Sequence, residues 1–95
     1  MTVREWHRRA MALVDHGMRV KQTGNHVEAK RIFRRAYSCA RHALALFLRA
    51  GIAEPEPTRT VLARSAARTA TRAGLTREAE RMHALADTTT SEAKP

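Results

Sequence analysis

Cysteine is almost missing from this chain: Cys39 stands alone. No internal disulfide can form, and the single thiol fits a reducing compartment, so a cytoplasmic protein is expected. Aromatic residues are scarce as well, limited to Trp6, Phe33, Tyr37 and Phe47. Four rings are too few to interleave with basic residues as a stacking platform for bases. No apolar stretch approaches the roughly 18 residues of a spanning helix, and the opening Met1–Trp6 lacks the apolar run of a signal peptide, so no membrane association is expected. No segment shows the β-branched alternation of a strand. Lysine is confined to Lys21, Lys30 and Lys94, and arginine carries most of the positive charge.

What remains is rich in alanine and arginine, both strong helix formers. The apolar fraction is 43% and the formal net charge +9 over 95 residues. That length suits one small domain. Alanine contributes little transfer free energy, so packing must rely on close helix approach rather than on bulky side chains. The charge favours anionic partners without specifying a fold. A high-GC genome would produce the same preference for arginine, so the preference alone carries no functional weight.

Glycine and proline divide the chain. Gly24, Gly51 and Gly74 each follow a helix-like run, where glycine can take the left-handed place after a helix end. Thr2 with Glu5, and Asn25 with Glu28, have capping-box spacing, and Thr76 is a third N-cap candidate. Pro55 and Pro57 interrupt the chain, and Pro57 suits a helix entry. These signals predict helices over 3–23, 26–50, 58–73 and 76–87, forming one all-α domain over 1–87, with a polar, disordered tail over 88–95. Short connections make neighbouring helices antiparallel. The apolar spacing agrees: Trp6, Ala10, Leu13, Gly17 and Val20 share a face, as do Ala29, Ile32, Phe33, Ala36, Tyr37 and Ala40. Leu62, Ala63, Ala66, Ala67, Ala70 and Ala73 form a third face, and Leu75, Ala79, Met82 and Ala86 a fourth.

The halves align at a shift of 50 residues. Gly24, Glu28, Ala29, Arg31 and Ala36 meet Gly74, Glu78, Ala79, Arg81 and Ala86. The segment from Ala10 to about Ala43 resembles a tetratricopeptide repeat, a helix–turn–helix unit of about 34 residues. Leu13 and Gly17 fill first-helix positions of that pattern, Gly24 its turn, and Ala29, Phe33 and Ala36 its second-helix positions. Val20 replaces the usual tyrosine, His16 stands where leucine is common, and Arg41 replaces the terminal proline, so the second helix should run on. Residues from about Thr60 to Ala86 look like a degenerate copy, with Ala63, Ala67, Ala70, Gly74 and Ala79 in place and His83 instead of the aromatic. The stretch from Pro57 to Ala67 also resembles a segment of small bacterial repeat proteins. The resemblance implies four helices in two antiparallel pairs, a concave binding face, and no catalysis of its own.

By that resemblance Val14, Met18 and Lys21 would face the groove from the first helix, and Arg64, Arg68 and Arg72 from the third. The three arginines also form one stripe on spacing alone. Guanidinium groups in a row suit carboxylates, phosphates or an acidic peptide; the plainer reading is a solvated face. Arg31, Arg34, Arg35 and Arg41 make a second basic set, either solvated or directed at nucleic acid. Residues 42–48 are apolar nearly all round, and Leu44, Leu46, Phe47 and Leu48 cannot share one face, so a second copy, a partner chain or the loop at Ile52 should cover them. His7, His16, His26, His42 and His83 show no metal spacing, and neither a metal nor a cofactor is expected. Cys39 with His42 lacks the orienting group and anion site that a nucleophile needs. A non-catalytic adaptor or accessory subunit is therefore expected, holding a protein or acidic peptide and assembling as a homodimer or within a larger complex. The alternative is a basic nucleic-acid-binding accessory.

Overall fold

The computed structural model describes residues 1–50 and 59–92, the last five of these by backbone alone. Four helices follow one another: α1 (Val3–Gln22), α2 (His26–Ala50), α3 (Arg59–Arg72) and α4 (Thr76–Glu92), with no strand among the described residues. The expectations for Gly51, Ile52, Pro55 and Pro57 lie outside those residues.

Local chemistry sets the helix ends. At the start of α1 the Glu5 N–H donates to Thr2 Oγ1 at 3.1 Å and the Thr2 N–H donates to Glu5 Oε1 at 2.9 Å, a complete capping box. The bond from the Thr2 backbone holds the Glu5 carboxyl below its ordinary value. Asn25 caps α2, its Oδ1 accepting the Glu28 N–H at 3.2 Å. Gly24 and Gly74 take φ of 90° and 76°, the left-handed region where glycine avoids the Cβ penalty. At Gly74 the motif is a full Schellman turn, with Gly74 N–H to Thr71 O at 3.1 Å and Leu75 N–H to Ala70 O at 2.9 Å. Gly24 repeats the first of these bonds, to Lys21 O at 3.0 Å, while the Thr23 hydroxyl donates to Val20 O at 2.6 Å. Leu75, not the expected Thr76, holds the cap place of α4, because its N–H already closes the turn and its carbonyl accepts the Ala79 N–H at 2.9 Å.

α1 packs on α2, α2 on α3 and α3 on α4. Ala10, Ala36, Ala43, Ala63, Ala66, Ala67 and Ala70 are fully buried along these seams. Small faces allow the close approach that compensates for alanine's small transfer free energy. Leu44, Leu62, Tyr37 and Met82 supply bulk to the main core. A second cluster of Ala29, Phe33 and Ala73, with Val14, Met18, Val20 and Leu75 against it, joins the first hairpin to the α3–α4 turn. Tyr37 adds a polar tie, donating to Glu78 Oε2 at 2.6 Å across 41 residues.

α4 continues to Glu92, and 93–95 lie outside the described residues. Leu44, expected at an interface, is 3% exposed and belongs to the core. α2 therefore turns part of its apolar end inward.

Candidate binding groove

α1 and α3 each turn their alanine and leucine face toward α2, which leaves a second face of each free to meet the other. From α1 that face presents His7, Met11 and Val14; from α3 it presents Val61, Arg64, Ser65, Arg68, Thr69 and Arg72. Together they line a concavity of about 400 Å³. Two contacts fix the register. Ser65 Oγ lies 3.9 Å from Met11 Sδ, and Arg72 Nη1 lies 2.9 Å from Met18 Sδ. Both pairs are 54 residues apart, so α1 and α3 run in the same direction at constant offset for two turns, about 10 Å.

The electrostatics are one-sided. α3 holds Arg59, Arg64, Arg68 and Arg72 and no carboxylate. Among the described residues no carboxylate pairs with Arg64, Arg68 or Arg72, whereas Arg81 on α4 does pair, with Glu78 Oε1 at 3.6 Å. Four residues of helix separate successive stripe arginines by about 6 Å. Opposite them lies an apolar wall of Met11 and Val14. Thr69 is not available to a ligand, since it is 2% exposed and its hydroxyl donates to Ser65 O at 2.7 Å. His7 is half-buried, and among the described residues its buried Nδ1 has no hydrogen-bond partner. Desolvation lowers its pKa, which favours the neutral imidazole.

Of the six residues expected to line a groove, Val14, Arg64, Arg68 and Arg72 do so. Met18 joins through its contact with Arg72. Lys21 does not; it is exposed near the end of α1, beyond the lining residues. Sequence reasoning missed His7, Met11, Val61, Ser65 and Thr69. His7 and Met11 precede Val14 and Met18 at helical spacing, so extending that face by two turns would have found them. Arg68 and Arg72 also border a shallower hollow shared with Thr71 and His83.

Arg31 and Arg34 line an open depression with His26, Val27 and Lys30, while Arg35 and Arg41 are exposed elsewhere on α2. Leu46 and Phe47 are half-buried against the core, and Leu48 is 44% exposed. Cys39 is buried, and His42 lays its ring against Trp6 with centroids 4.4 Å apart. Among the described residues no group of three or more His, Cys, Asp or Glu could hold a metal ion, and no helix is long and apolar enough to cross a membrane. In comparisons with protein-family models, curated proteins and solved structures, nothing matches this chain.

Proposed function

We propose that this protein is a non-catalytic binding module that holds an acidic peptide segment of a partner protein in the α1–α3 groove. The observation that carries this reading is the stripe Arg64–Arg68–Arg72, which borders a concavity with an apolar wall and has no carboxylate partner among the described residues. A stripe balanced by its own fold would carry internal ion pairs; this one leaves its charge for something else. The parallel run of α1 and α3 supports a tetratricopeptide-type arrangement, in which like helices of successive hairpins form the inner face. Leu46, Phe47 and Leu48 at the end of α2 belong to the same proposal as a contact for a larger partner rather than for a second copy, now without Leu44.

Nucleic acid is the weaker reading on one specific count. Phe33 and Tyr37 are buried, and Trp6 is engaged by His42, so these rings offer no stacking surface. The test is fluorescence anisotropy with labelled hexaglutamate, hexalysine and a single-stranded oligonucleotide. Hexaglutamate is expected to bind, and Arg64→Glu/Arg68→Glu/Arg72→Glu to abolish binding while circular dichroism still reports helix. Binding that survives the triple reversal moves the site elsewhere; oligonucleotide binding with a steep salt slope replaces this reading with the other.

A further inference from the structure

We propose that Met18 is an oxidation site through which peroxide weakens the groove's hold on anions. The proposal rests on the groove reading above for its consequence, but on Met18 and Arg72 for its chemistry.

Met18 is half-buried, and its sulfur already receives Nη1 of the groove residue Arg72 at 2.9 Å. A thioether is a weak acceptor, so the guanidinium keeps its other N–H groups for a ligand. The second lone pair of the sulfur remains free to attack a peroxide. In that step an S–O bond forms as the O–O bond breaks. The sulfur loses two electrons, and the peroxide's other oxygen leaves as water. The product is a sulfoxide, whose oxygen carries substantial negative charge. A guanidinium at hydrogen-bond distance would turn to that oxygen in a charge-assisted bond, which is stronger than the thioether contact. One of the three stripe cations is thereby occupied by its own fold. Met11 differs, because its neighbour is the neutral Ser65 hydroxyl at 3.9 Å, and its oxidation removes no cation. Met82 is 7% exposed in the core and serves as an internal reference.

Three measurements on the intact chain decide the matter. Peptide mapping by mass spectrometry after graded hydrogen peroxide should show sulfoxide at Met18 before Met82. Labelling of Arg72 by phenylglyoxal, also mapped by mass, should slow once Met18 is oxidised. Affinity for labelled hexaglutamate should fall about fivefold at low salt, the scale of one exposed charged contact. Met18→Leu, compared with itself before and after peroxide, should show no fall, and Met18→Gln, which supplies a carbonyl oxygen, should start at the weakened affinity and bring slow Arg72 labelling. The idea is overturned if Met18 oxidises no earlier than Met82, if Arg72 labelling is unchanged by the sulfoxide, or if Met18→Leu loses as much affinity as the parent. If untreated protein ignores hexaglutamate, the groove reading fails on its own account, and the mapping and labelling still judge the sulfur–guanidinium switch.

Discussion

The ring of Phe33 occupies the space into which a side chain at Gly17 would project: a methyl group there would stand 2.6 Å from Cε1 and 2.8 Å from Cδ1 of that ring. Phe33 is 3% exposed and shares its cluster with Ala29 and Ala73, so the ring has little room to withdraw. Two effects compete in Gly17→Ala. Helix propensity favours alanine by about 0.5–1 kcal/mol, and overpacking costs about 1–3 kcal/mol. The clash should win, leaving a net loss of about 1–2 kcal/mol by urea unfolding. Phe33→Leu should then cost less in the Gly17→Ala background than in the parent, a coupling that a double-mutant cycle reads directly. A raised melting temperature for Gly17→Ala would show that the ring yields freely.

The Tyr37–Glu78 bond should make the fold sensitive to alkali. Burial first, then the Glu78 carboxylate, pushes the phenol up to about 12 from an ordinary 10.0. The unfolded chain therefore releases this proton at lower pH than the folded one. Stability from this group is complete below about 10 and is lost as pH rises toward 12. Tyr37→Phe should cost about 1–1.5 kcal/mol at neutral pH by removing the donor, and it should flatten the decline above pH 10. Equal alkaline slopes for parent and variant would show that Tyr37 is not the titrating group.

Much of this architecture is visible in the amino acids because helix ends and helix faces are local. Gly24 and Gly74 lie after the first helix of each pair, and Thr2 and Asn25 before a helix, where short-range hydrogen bonding demands them. The stripe Arg64–Arg68–Arg72 is likewise a property of one helix. What could not be read is what depends on two helices at once. Leu44 looks as available as Leu48, but only the docking of α2 makes one core and leaves the other exposed. That the face of His7, Met11 and Val14 meets the arginine stripe follows only from α1 and α3 running parallel at a fixed offset, which no helical period encodes. Lys21 fits the pattern by spacing yet falls beyond the lining residues.

Acid should weaken the fold through His7. Burial lowers its pKa below the ordinary 6.5, so the folded chain resists protonation that the unfolded chain accepts. The sign is opposite to that of a histidine paired with a carboxylate: the contribution is complete above the unfolded value and falls as pH drops below it. Thermal unfolding at about pH 7 and about pH 5 should show a smaller drop for His7→Gln than for the parent. An unchanged drop would assign the acid sensitivity to other groups.

Leu44 and Leu48 lie one turn apart near the end of α2 and should answer mutation in opposite ways. Leu44 is 3% exposed and packs in the main core, while Leu48 is 44% exposed. Leu44→Ala leaves a cavity in a core whose buried members are mostly alanines, too short to fill it, so a cost of about 2–5 kcal/mol is expected. Leu48→Glu removes no core contact and should change the stability of a monomer by less than about 0.5 kcal/mol. Oligomeric state separates two uses of the remaining surface. With Leu44 buried and Leu46 and Phe47 half-buried against the core, Leu48 alone of the four is exposed, and one exposed side chain does not hold a dimer together. Light scattering is therefore expected to give the monomer mass for the parent and for Leu48→Glu alike. A dimer in the parent that Leu48→Glu splits, with helix content retained, would instead place a self-association surface at this end of α2.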